Sequence, residues 1–108
     1  MKALMLCLLL LTSIGVNAEV ASWYNLEGRK TASGEVFRTH SLTCASNTHK
    51  IGTYLKVTNT ANDKSVVCKV NDRGGFSKYG RTLDLSKGAF SKIAHLSQGT
   101  VNVTIKRL

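Results

Sequence analysis

Proline is absent from this 108-residue sequence, and acidic residues are scarce: six against fifteen lysines and arginines, a formal charge of +9. With no proline there is no proline-rich linker, and no low-complexity tract interrupts the chain, so one domain is expected. No apolar run is long enough for a membrane-spanning helix, which needs about 18–20 residues. The longest, residues 3–11, follows Lys2 and precedes Val16-Asn17-Ala18, small residues at an A-x-A-like cleavage site. Residues 1–18 therefore read as an export signal. Cys7 lies inside that apolar stretch behind Leu4-Met5-Leu6 rather than small residues, so no lipid or other stable membrane anchor is expected. Export places residues 19–108 in the periplasm or outside the cell. Loss of Lys2 lowers the charge by one, from +9 to +8.

Cysteine is also sparse, and removal of the signal leaves two of the three, Cys44 and Cys68. An even count in an exported chain reads as a disulfide. As half of a metal site the pair lacks clustered third and fourth ligands, so no metal is expected, and no cofactor either. A bond between them closes a loop of residues 44–68, worth roughly 3–4 kcal/mol on the chain-entropy model. The charge favours an anionic partner: peptidoglycan carboxylates, acidic glycan or lipid headgroups. The lysines are scattered rather than gathered into an arm, and with export this argues against nucleic acid.

Strand patterns dominate what is present. Glu19–Tyr24 carries Trp and Tyr suited to a pleated surface. Residues 54–58 and 65–70 form a hairpin around the polar turn of residues 59–64, with Val66, Cys68 and Val70 on one inward face. Thr100–Arg107 alternates Val101, Val103 and Ile105 inward with Asn102, Thr104 and Lys106 outward. Ser86 is a helix N-cap, followed by Ala89, Phe90, Ile93 and Ala94 at helical spacing and then Gly99. Residues 25–40 are polar and contain glycine, which predicts a long loop. Five or six short strands and one helix are most simply buried as a small β-barrel, monomeric, with no open edge. Asn102-Val103-Thr104 is a glycosylation sequon only in form, because it lies within a strand.

The chemistry-bearing run is Asn71-Asp72-Arg73-Gly74-Gly75-Phe76, followed by Gly80-Arg81-Thr82-Leu83-Asp84-Leu85-Ser86. Asp72 at a strand exit can give and take a proton, Arg73 can pair with an anion, and the glycines let backbone and ligand approach closely. With Ala21-Ser22-Trp23-Tyr24 and Thr31-Ala32-Ser33-Gly34-Glu35, these motifs resemble, in order, those of the rare lipoprotein A family. The family is similar to lytic transglycosylase catalytic domains and, more distantly, to expansins and barwin. The resemblance covers residues 20–107 and implies a mainly β, six-stranded double-psi β-barrel with one short helix.

It also implies a groove that holds peptidoglycan glycan strands and cuts between N-acetylmuramic acid and N-acetylglucosamine. The muramic 6-hydroxyl attacks its own anomeric carbon, leaving a 1,6-anhydro ring. One carboxyl can act first as acid and then as base, unlike the two carboxylates of ordinary hydrolysis. Asp72 occupies the motif position for that role. The acid step needs a proton held on the carboxyl, which burial against Phe76 or a neighbouring carboxylate favours and a close Arg73 opposes. Glu35 is the second catalytic candidate, as a polar orienter. Tyr24, Ser46, Arg73 and Gly74 are the expected substrate-binding residues, with Trp23 turned to the core. Arg81 and Asp84 are expected to be structural, Asp84 tying the Asp72 loop to the helix start. Two departures stand out. Ser46 fills the family's histidine position in Thr43-Cys44-Ala45-Ser46, and Gly75 replaces its proline. His49 falls where the family has the leucine of a Leu-Pro pair, and His40 and His95 match no motif. The serine favours a second reading, a non-catalytic, expansin-like wall-binding module. An interaction or inhibitor protein on the same barrel is a third, since fold does not fix function.

Overall fold

The computed structural model describes residues 19–108, so the export signal expected at residues 1–18 lies outside the described residues. Six strands close into a barrel: β1 (Glu19–Tyr24), β2 (Thr43–Ala45), β3 (Tyr54–Asn59), β4 (Ser65–Asp72), β5 (Leu83–Ser86) and β6 (Thr100–Arg107), in the order β1-β5-β2-β4-β3-β6. β1 runs parallel to β5 and β2 parallel to β4, while the other four pairings are antiparallel. Every strand has two neighbours, so no row of backbone donors is left for another chain to pair with. The architecture is mainly β with one short helix, as expected.

Alternation builds the core. Val66, Cys68 and Val70 of β4 and Val101 and Val103 of β6 are buried, as are Leu55 and Val57 of β3 and Leu83 and Leu85 of β5. Full burial of each such side chain contributes about 1.5–3 kcal/mol. Cys44 and Cys68, both fully buried, form the expected disulfide with Cα atoms 5.8 Å apart, so it staples β2 to β4 inside the core.

The helix is shorter than the apolar spacing predicts. α1 spans Lys87–Ser91, capped by the Ser86 hydroxyl oxygen, which accepts from the Ala89 N–H at 3.1 Å. Ala89, Phe90 and Ile93 are buried as expected. Elongation stops where the side-chain amides of Asn59 and Asn62, at 2.9 and 3.0 Å, take the Ile93 carbonyl that a continuing helix would use. Gly99 instead closes a separate 3-10 turn, Leu96–Gln98, with φ 72°.

Candidate active site

The parallel and antiparallel pairings set four residues in one row. Asp72 lies opposite Ala45, Ala45 opposite Asp84, and Asp84 opposite Ser22. Directly opposed residues share a face of the sheet, so two carboxylates flank one small alanine, with their Cα atoms roughly 10 Å apart across two strand spacings. Tyr24, two residues beyond Ser22, points to the same side. Trp23 turns inward, where its indole N–H donates to the Leu96 carbonyl at 3.0 Å. Tyr24 thus lies on the groove side and Trp23 on the core side.

Three donors converge on Asp72. The Tyr24 hydroxyl donates to Oδ2 at 2.8 Å, and the backbone N–H groups of Ala32 and Arg73 donate to Oδ1 at 2.9 Å each. Burial first, then this hydrogen bond and the charges of Asp72 and Asp84, push the Tyr24 phenol well above its ordinary range, so it remains a donor. Its ring rests on Phe37, centroids 4.8 Å apart. Asp72 and Tyr24 line a groove of about 400 Å³ with Ala45, Gly74, Phe76 and Asp84.

The Thr31–Glu35 motif supplies the Ala32 donor. Thr31 N–H bonds the Glu35 carbonyl at 2.8 Å and Gly34 N–H the Thr31 carbonyl at 2.9 Å, with Gly34 at φ 92°. The turn docks on β4 where Ser33 N–H meets the Asn71 carbonyl at 3.0 Å. Glu35 secures it from outside the groove: its carboxylate pairs with Lys69 at 2.9 Å and accepts from the Asn71 amide at 3.3 Å. Lys69 first, then Asn71, holds the Glu35 carboxyl below its ordinary range.

The remaining expected residues fall in different places. Gly74 lines the groove, and a Cβ there would meet the Phe76 ring at 2.9 Å. Arg73 also borders it, but its guanidinium Nη1 donates to the carbonyls of Ser46 and of His49, the latter at 2.7 Å. Ser46 is fully buried, and its hydroxyl oxygen accepts the N–H groups of Thr48 and His49 at 3.2 and 3.1 Å. Arg73 and Ser46 thus lock the 46–49 loop against the Asp72 strand. Asp84 has other partners than expected: it accepts from the Ser22 hydroxyl and pairs with Arg81 Nε at 3.4 Å. It stands on the groove wall, not tied to the Asp72 loop.

Asn47 escaped the sequence reading. Its amide forms a cyclic pair with Gly74, Nδ2 to the carbonyl at 2.7 Å and the Gly74 N–H to Oδ1 at 3.2 Å, and so holds the glycine loop in place. Nothing in a lone asparagine within Ser46-Asn47-Thr48 distinguishes it from any polar loop residue. No group of three or more His, Cys, Asp or Glu that could hold a metal ion occurs among the described residues.

A family model described as "Lytic transglycolase" matches residues 16–105. The chain belongs to that family. Relatives within it include the Vibrio cholerae protein named endolytic peptidoglycan transglycosylase RlpA, 48% identical over 80% of this chain and 33% of its own length. A Neisseria meningitidis protein of the same name is 44% identical over 82% of this chain and 37% of its own. The chain thus spans about a third of the length of these curated relatives. Two solved structures share the fold. A Streptomyces papain inhibitor has a TM-score of 0.70 and 24% identity, covering 88% of this chain and 96% of its own. A Clavibacter michiganensis expansin in complex with cellohexaose has a TM-score of 0.66 and 20% identity, over 84% and 49%. The six-stranded barrel that carries Asp72 and Ser46 is therefore the double-psi barrel of this lytic transglycolase family.

Proposed function

We propose that the protein acts outside the cytoplasm, as a monomer, on peptidoglycan glycan strands, cutting the bond between N-acetylmuramic acid and N-acetylglucosamine to leave 1,6-anhydro ends. The observation that supports this most is the three-donor cradle around Asp72 on the wall of an open groove. The relatives' shared name, endolytic peptidoglycan transglycosylase, agrees with it. In this reaction Asp72 gives its proton to the leaving glycosidic oxygen. The carboxylate that appears meets the Tyr24 hydroxyl and two backbone N–H groups already aimed at it, so no reorganisation is needed when the charge forms. Asp72 then takes the proton of the muramic 6-hydroxyl as that oxygen closes on the anomeric carbon. Glu35 serves as a positioning residue, since it fixes the turn that presents Ala32. Residues 1–18 act as the export signal that delivers the domain to the periplasm or the medium.

Digested sacculi analysed by mass spectrometry should release muropeptides ending in 1,6-anhydro-muramic acid. Asp72→Asn keeps the shape but cannot exchange the proton, and should cost about 10²–10⁴-fold. An Asp72→Asn protein that cuts as fast as wild type would show that another group does the chemistry. Ser46 favours a second reading, a wall-binding module without cleavage, because the position where the family has an imidazole holds a buried serine used by the backbone. Sacculus binding with no released muropeptide from wild type decides for it.

A further inference from the structure

The rim of the groove carries a cationic group that the reaction at Asp72 does not use. Tyr79 ends a 3-10 turn, Phe76–Tyr79, anchored by buried Phe76 and terminated by Gly80 at φ 79°. Tyr79 is 69% exposed, the most exposed large hydrophobic residue among the described residues, yet it stands on the groove wall. Two cations lie over it: Lys78 Nζ is 5.4 Å and Arg81 Cζ 5.5 Å from the ring centroid. Cation–π attraction at such distances holds both side chains at the rim and lowers the entropy lost when they engage a ligand. The two are not equivalent. Arg81 is shared with Asp84, whereas Lys78 makes no ion pair among the described residues.

We propose that Lys78, Tyr79 and Arg81 form a carboxylate-recognising rim that fixes which sugar of a bound glycan sits beside Asp72. The inference rests on the reading of the groove as a peptidoglycan site. Of the two sugars that alternate in that polymer, N-acetylglucosamine is neutral and offers the rim nothing. Muramic acid bears a lactyl carboxyl, either free or extended by a stem peptide that itself ends in carboxylates. Asp84 on the groove wall repels that anion, while Lys78 attracts it, so charge distinguishes the two ways of laying a strand. A carboxylate read on every second sugar sets a register of two sugars. Asp72 then faces one type of glycosidic bond and not the other.

The test is the affinity of the full chain, in an Asp72→Asn background so that nothing is cut, for three oligosaccharides of equal length. These are an N-acetylglucosamine hexamer, a muramic-acid-containing hexamer without peptides, and the same hexamer with stem peptides. One or both carboxylated oligomers should bind about twofold to fivefold more tightly than the neutral one, as for an exposed ion pair. Which of them does so identifies the lactyl or the peptide carboxylate as the source. The advantage should vanish in Lys78→Gln, persist in Lys78→Arg and shrink in high salt. Equal affinity for all three, or an undiminished advantage in Lys78→Gln, overturns the rim alone. Failure of every oligomer to bind overturns the glycan reading of the groove and the rim with it.

Discussion

Replacing Tyr24 with phenylalanine removes one oxygen from the cradle around Asp72 and little else. The ring contact with Phe37 and the pairing of Tyr24 with Ser86 do not depend on the hydroxyl. What is lost is the O–H donor 2.8 Å from Asp72 Oδ2. A hydrogen bond to a charged group contributes about 1.5–3 kcal/mol. In the resting protein Asp72 is only half-buried, so water from the groove replaces part of that bond. Folding stability should therefore fall by about 1 kcal/mol at most. With a glycan in the groove there is no such water, and the whole deficit falls on the step in which the carboxylate appears. A loss of about 1.5–3 kcal/mol there is roughly 10- to 150-fold in rate. The assay is the initial rate of 1,6-anhydro muropeptide release from sacculi, with a thermal melt of the same preparation. Because burial and the bond to Asp72 push the Tyr24 phenol above its usual range, wild type keeps this proton throughout neutral pH. Tyr24 itself thus contributes no limb to the pH–rate profile near neutral pH, and the loss in Tyr24→Phe should appear as a lower rate there. A folded Tyr24→Phe protein that cuts at the wild-type rate would refute the cradle as the source of catalysis.

Three further outcomes test the fold around the site. Gly88→Ala should destabilise by about 1–3 kcal/mol in urea, although alanine is the better helix former, because its Cβ would meet the His40 main chain at 2.8 Å. A gain in stability would mean that this approach is not tight. Replacing Cys44 and Cys68 together by alanine should cost roughly 3–4 kcal/mol and lower the melting temperature by more than about 10 °C, and an unchanged melt would show that the staple adds nothing. Glu27 should titrate near about 2 by carboxyl NMR, held down first by the Thr39 N–H and then by Arg38. Its folded value lies below its ordinary 4.5, so its contribution to stability is present above that pH and is lost as the pH falls towards about 2. A midpoint near 4.5 would contradict the bonding of the residue 25–40 loop.

The long strands were legible because each repeats a two-residue period several times. β4 places Val66, Cys68 and Val70 inward, and β6 places Val101 and Val103 inward, as the alternation requires. The Ser86 cap was legible too, since a serine before an apolar stripe has few other uses. The helix end was not. Its apolar spacing runs on past Ser91, and the side chains that stop it, Asn59 at the end of β3 and Asn62 in the turn that follows, lie some thirty residues away.

The site was legible at its corners and hidden in its middle. Asp72 and the Thr31–Glu35 turn stand out as motifs, but what joins them is a backbone N–H, that of Ala32, which no side-chain pattern announces. The row of Asp72, Ala45, Asp84 and Ser22 depends on β2, a strand of three residues. Three residues hold one inward position, filled by Cys44, and a cysteine there reads as half a disulfide rather than as part of a strand. Without β2 nothing separates β5 from β4. Asp84 then looks like a residue on the way to the helix, free to reach back to the Asp72 loop. Once β2 is inserted, Asp72 lies two strands away and Ser22 directly opposite, so Asp84 bonds the serine and Arg81. The same insertion turns a structural aspartate into a second charge on the groove wall, and so makes the position of any anionic group on the substrate a matter of consequence.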